Sequence, residues 1–137
     1  MTVATGLFIS FEGIDGAGKS SHIEPLAEFN ARIHGDDGPD LRIGVAIRNL
    51  LQGRLPTCGP QDFTIVEESR TGQIVSSLCL LSQVWSYGGI TFPAGQPEFV
   101  GTNPEYRNRG LVRKQFDLIH EWAHERGQMM LGITGIP

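Results

Sequence analysis

Residues 8–21, FISFEGIDGAGKSS, join an apolar run, a glycine-rich loop and a Lys-Ser pair in immediate succession. Gly13, Asp15, Gly16, Gly18, Lys19 and Ser20 fall in the spacing G-x-x-x-x-G-K-S, after an expected strand over 6–12 and before an expected helix. Glycines in such a loop let successive backbone N–H groups wrap an anion, and the helix N-terminus behind it favours negative charge. The lysine reaches outer phosphates and the serine can hold Mg²⁺. This opening constrains the N-terminal segment to a strand, a loop and a helix, with Mg-ATP as the ligand its pattern suits.

The remaining chain follows a different plan. GDDGPD, residues 35–40, is dense in turn formers and is the expected seam. Residues 41–54 set Ile43, Ile47, Leu50 and Leu51 on one helical face. FTIVEE and QIVSSLCLLSQVW, separated by SRTG, read as a hairpin. A turn at SYGG leads to a strand near 96–102, then to a helix over 109–126 closed by Gly127, then to a final strand in QMMLGITGI. The order is β-α, seam, α, β-β-β-α-β.

Bulk properties exclude several classes. A chain of 137 residues supports one domain with a core. Its net charge of −4 argues against general nucleic-acid binding, which needs clustered positive charge. Two cysteines, Cys58 and Cys79, make neither a disulfide framework nor a metal-ligand pattern. No basic region precedes the apolar start, and no apolar run approaches the roughly 20 residues of a membrane span. A cytoplasmic protein without membrane partners is expected. The oligomeric state is open.

A second anion site is suggested by residues 105–114. Four cations (Arg107, Arg109, Arg113, Lys114) stand there against one carboxylate, at the expected start of a helix. Positive charge at a helix N-terminus opposes the helix dipole, and a bound anion would offset that cost. Asn108 is the expected N-cap, and Gly110 allows close approach to the backbone. A solvated basic helix start would have the same composition.

Two families are resembled. Leu7 to about Phe29 resembles the start of thymidylate kinases, whose chains open on FEGxDGAGKS. The Arg-Glu-Pro-Gly and Asp-Arg stretches and the arginine-bearing lid that this resemblance implies do not follow. Glu67 and Glu68 are the nearest substitute for a metal-binding carboxylate, and the solvated end of a hairpin would read the same way. Residues 40–137 resemble the GNAT acetyltransferases. Arg107-Asn108-Arg109-Gly110-Leu111-Val112 is similar to their [RQ]-x-x-G-x-[GA] loop, departing at Val112, and IVEESRTGQIVSSLCL, HEWAHERG and ITGIP agree in order. The combined expectation is an α/β fold, with a mixed, mostly antiparallel sheet flanked by helices. A kinase-like segment (1–34) precedes an acetyltransferase-like domain (40–137) that is incomplete at both ends, packed as one unit. The first strand and helix of the chain would substitute for those that the acetyltransferase sheet lacks.

The GNAT resemblance implies acetyl-CoA as cofactor and an amine, on a small molecule or a peptide, as acceptor. Backbone near Val100 and Thr102 would pair with the pantetheine arm. The amides from Arg109 to Val112 would hold the diphosphate, with Arg107 and Asn108 in the same loop. Glu98 is the candidate base, although an exposed strand carboxylate has the same sequence signature. The tyrosine that often protonates the leaving thiolate would lie beyond Pro137. Two other outcomes stand beside this one: an ATP-binding nucleotide kinase fragment, and a folded chimera without catalysis.

His120-Glu121-Trp122-Ala123-His124 matches the helical zinc motif H-E-x-x-H. On a helical wheel Leu111, Val112, Phe116, Leu118, Ile119, Trp122 and Ala123 form one apolar arc. His120 and His124 fall opposite, with Arg113 and Asp117, and no third ligand is in view. The motif is read as solvated, and no metal is expected.

Overall fold

The computed structural model describes residues 7–10, 20–35, 42–52, 54 and 58–133; for Leu7–Ser10, Ser20–His22 and Arg42 it describes the backbone alone. The strands are β1 (Leu7–Ser10), β2 (Phe63–Glu68), β3 (Ile74–Tyr87), β4 (Ile90–Thr102) and β5 (Met130–Leu131). The helices are α1 (Ser20–Ile33), α2 (Arg42–Leu51) and α3 (Leu111–Glu125), with 3-10 turns at Pro60–Asp62 and Pro104–Tyr106.

Among the described residues the strands form one sheet in the order β1-β2-β3-β4-β5. All neighbours are antiparallel except β4 and β5, which run parallel through Ala94–Met130 and Gly95–Leu131. The N-terminal strand takes the outer place beside β2, with Leu7 opposite Glu68 and Ser10 opposite Ile65.

Alternation along the strands sends apolar side chains to two faces. Phe63, Ile65, Ile74, Cys79 and Leu81 meet Leu26, Ala27 and Phe29 of α1 and Ile47, Leu50 and Leu51 of α2. Leu78, Leu80 and Val100 face the other way, against Phe116, Ile119, Trp122 and Ala123 of α3. Each fully buried side chain of this size contributes about 1.5–3 kcal/mol.

Polar anchors fix the helices on this sheet. Buried Asn30 of α1 donates to Leu26 O (3.0 Å) and accepts from Ser77 Oγ of β3 (3.2 Å). Arg48 of α2 forms a two-pronged ion pair with Glu24 of α1, at 2.8 and 3.0 Å from Nε and 2.8 Å from Nη2. At the C-terminal end of α1, Ile33 packs on β4 so closely that a Cβ on Gly101 would lie 2.6 Å from it. Glycine is what lets helix and strand meet there.

Two expectations are corrected. β4 begins at Ile90, six residues before the anticipated start near residue 96, because the ITFPAGQ stretch pairs along β3 despite its proline and glycine. Pro93 lies opposite Val84, and its carbonyl accepts from Met129 N (2.9 Å). The N-cap of α3 is Gly110, not Asn108. Asn108 itself is left-handed (φ 61°), so the chain makes one further turn before the helix starts.

Candidate functional site

Where β4 ends and α3 begins, a cleft of about 470 Å³ opens. Its walls are Val100–Thr102 of β4, Tyr106–Val112 of the following loop and helix start, Arg113, and the last residues of the α1 side, Ile33 and His34. Gly110 sits at φ 73° with open space where a Cβ would stand, so a ligand could approach its backbone.

The helix start is rich in uncommitted donors. Lys114 N is the first amide here to bond one turn back, to Gly110 O at 3.2 Å. The amides of residues 108–113 have no acceptor among the described residues. Arg107, Arg109 and Arg113 likewise meet no carboxylate among them. Two of these arginines are instead positioned by carbonyls and a ring. Arg107 Nε donates to Thr102 O (3.4 Å), and Arg109 Nη2 donates to Glu105 O (3.2 Å) while lying 4.8 Å over the Tyr106 ring. Amides without acceptors among the described residues, the positive end of a helix dipole and three arginines are groups that favour a nearby anion.

The opposite side of β4 carries the titratable groups. The β3–β4 register slips between Ser77 and Cys79, with Ser77 opposite Gly101 and Cys79 opposite Glu98, and Phe99 in the bulge takes φ 52°. Glu98, half-buried, accepts on Oε1 from Gln96 Nε2. That bond begins a row in which Gln83 donates to Gln96 Oε1 (2.7 Å) and Trp85 donates to Gln83 Oε1. His34 reaches the bulge from α1. It bonds the Phe99 backbone and stands edge-on to the Phe99 ring, 6.5 Å between centroids. Desolvation lowers the His34 pKa, opposed by that bond and by the Glu98 charge.

All eight residues expected to bind a cofactor (Val100, Thr102, Arg107, Asn108, Arg109, Gly110, Leu111 and Val112) line this one cleft. Lys114 does not, and neither does Glu98, which lies across the bulge on the α1 side. From Glu98 to Thr102, β4 has β3 as its only strand partner among the described residues. Gly13, Asp15, Gly16, Gly18 and Lys19 of the phosphate loop lie outside the described residues, and Ser20 is described as the backbone start of α1. His120 and His124 are exposed on α3, and His120 leans on Phe116 (6.0 Å). Glu68 is occupied at its hairpin turn, accepting from Thr71 Oγ1 (2.6 Å) and lying 3.6 Å from Arg70.

His34 was not legible as a site residue, because its partners are distant in sequence and no motif surrounds it. Gln115 was missed too. It is buried within the apolar arc of α3, where it accepts from Ser76 Oγ (2.7 Å) and donates to Thr64 Oγ1 (2.9 Å).

The mixed sheet thus carries helices on both faces, with a basic helix start beside the end of β4. The acetyltransferase (GNAT) domain family matches residues 29–136, and the chain belongs to that family. Among solved structures it resembles an acetyltransferase from Trypanosoma brucei (23% identity, TM-score 0.65), with 95% of this chain and 83% of that one covered. An aminoglycoside N-acetyltransferase in complex with CoA is similar at 14% identity and TM-score 0.71, covering 99% of this chain and 82% of its own. Glucosamine-6-phosphate N-acetyltransferase from Arabidopsis thaliana follows at 11% identity and TM-score 0.61, covering 95% and 82%. At the N-terminus, 22 residues are 91% identical to the thymidylate kinase of Verminephrobacter eiseniae (strain EF01-2). That match takes 16% of this chain and 10% of the kinase. A similar stretch of 23 residues is 78% identical to the enzyme of Albidiferax ferrireducens, so the chain spans about a tenth of the kinases it matches.

Proposed function

We propose that the protein is an acetyl-CoA-dependent N-acetyltransferase acting on an amine acceptor, in which a kinase-like N-terminal segment supplies the first strand and helix of one acetyltransferase unit. The observation that carries this is the pairing, in one cleft, of amides at residues 108–113 with three arginines, none of which meets an acceptor carboxylate among the described residues. A diphosphate fits that donor set, since its oxygens accept and its charge offsets the basic helix start. Arg107 and Arg109 would take its outer oxygens, and Gly110 leaves it room. Val112 lines the same wall.

The edge of β4 at Val100 and Thr102, which no second strand pairs among the described residues, suits an extended amide-bearing arm that would add to the sheet as a strand does. Acetyl-CoA supplies an acyl group activated as a thioester. The chain's part is to hold that group at the Phe99 bulge and to strip a proton from the incoming amine. Glu98, which accepts a bond from Gln96 on one oxygen, would attract a cationic acceptor. A small amine or a peptide amine would serve.

Calorimetry with acetyl-CoA and thiol-release assays against a panel of amines test this reading. Arg107→Ala and Arg109→Ala should each weaken acetyl-CoA binding by about tenfold or more, as expected for a lost charge-assisted bond of about 1.5–3 kcal/mol. Absence of acetyl-CoA binding by the wild-type protein would sink it.

A further inference from the structure

Among the described residues, His34 both lines the cleft and approaches the β4 bulge. Its Nε2 lies 3.4 Å from the position a Cβ would take on Gly101, with Ile33 packed beside it. One ring nitrogen is committed to the Phe99 backbone, whose carbonyl also accepts from Ser77 Oγ (3.4 Å). A neutral imidazole has one N–H and one lone pair, so an N–H given to a carbonyl leaves the other nitrogen as a bare acceptor. His34 as a residue is exposed.

We propose that this bare nitrogen of His34 takes the proton of the incoming ammonium group, while Glu98 beside it attracts that cation, so that the acceptor enters between the end of α1 and the Phe99 bulge. The assignment rests on the transferase reading above. The proton balance is closed. The ammonium gives one proton to His34, forming imidazolium and a neutral amine. The N–C bond then forms as the thioester C–S bond breaks, and the second amine proton leaves with sulfur as a thiol. Imidazolium returns its proton to water.

The surroundings suit a base near neutrality. Desolvation lowers the His34 pKa, against the opposing bond to Phe99 and the Glu98 charge on β4. Arg107 and Arg109 of the loop and Arg113 of α3 are the other charged groups that line the same cleft. On α1 itself, Arg32 lies over the Phe29 ring (5.9 Å).

The test has two arms. Histidine ring signals of the free protein are followed by NMR between about pH 5 and 8, with H34Q assigning the His34 signal. The expected midpoint lies below about 6.5 and falls further in E98Q, where the carboxylate charge is gone. In acetyl transfer to a primary amine, H34Q should lower kcat about 100-fold and remove the rising acid limb of the pH profile. Its KM for acetyl-CoA should not change, and H34N serves in parallel should H34Q fold poorly. A midpoint indifferent to E98Q, or an H34Q or H34N enzyme that keeps its rate and acid limb, overturns the role of His34 and leaves the transferase standing. Wild-type protein that binds no acetyl-CoA removes the transferase reading, and the catalytic role of His34 with it.

Discussion

Ser76 on β3 donates a 2.7 Å hydrogen bond to Gln115 on α3, and both side chains are buried. Ser76 Oγ also lies 3.0 Å from Gly101 O and 3.0 Å from Thr102 Oγ1, while Gln115 donates onward to Thr64 Oγ1, which donates to Leu78 O at 3.1 Å. The network therefore fastens the helix that starts at the cleft to the strand that forms its other wall. Its satisfied donors and acceptors set the distance between the basic helix start and the end of β4.

Replacing Gln115 by Leu should destabilise the fold by about 1–3 kcal/mol, because Ser76 and Thr64 lose a buried partner. Urea unfolding should show a lower midpoint at unchanged slope. Adding Thr64→Val removes one of the stranded groups, so Q115L/T64V should lose less than the sum of the single losses.

Arg126 Nη1 lies 2.7 Å from Asp62 Oδ1, and the carboxylate is nearly sealed, with 7% of its side chain exposed. Asp62 also accepts from Gly59 N (2.7 Å), and Arg126 stands 5.5 Å over the Trp122 ring. Arg126→Ala should cost about 2 kcal/mol. That is below the cost of stranding a fully buried charge, since the Gly59 amide remains and Arg126 is partly in water. A thermal or urea midpoint equal to wild type would show that water replaces the guanidinium without loss.

Cys58 and Cys79 are both buried and free. The Cys58 contact, burial and the Glu98 charge together push the Cys79 thiol well up. Since the thiolate is the reactive form, iodoacetamide should leave both cysteines unlabelled in the native protein at mildly alkaline pH. Labelling should appear only as the protein unfolds. Rapid labelling of Cys79 in native protein would contradict its burial.

The depressed His34 pKa also links folding to pH. The unfolded chain binds this proton more readily than the native state, so stability rises with pH across the window. The His34 contribution is fully present above the unfolded value of about 6.5 and is lost as pH falls through the lower folded value. H34Q should flatten the stability profile on the acid side of neutrality, measured by urea midpoints at successive pH. An unchanged slope would show that His34 titrates alike in both states.

Local signals carried most of the fold. The glycine-flanked turns, the period-2 runs of β2 and β3, and the apolar arc of α3 all depend on neighbours in sequence, and the cleft loop stood out through Arg107, Arg109 and Gly110. What escaped depends on distant partners. Gln115 breaks the apolar arc because Ser76 and Thr64 await it on other elements. Pro93 obscured the first half of β4, although its carbonyl alone suffices for the bond from Met129. His34 gains significance from Phe99 and Glu98, which the chain supplies much later.

β1 joins the sheet through its backbone register with β2. A sheet edge recognises a newcomer by the spacing of its amides and carbonyls, which every extended segment shares, and not by its spelling. The first strand of this fold is therefore its most exchangeable part. A segment that resembles the start of a kinase can take that place by its backbone alone, and the resemblance then says little about the work of the molecule it completes.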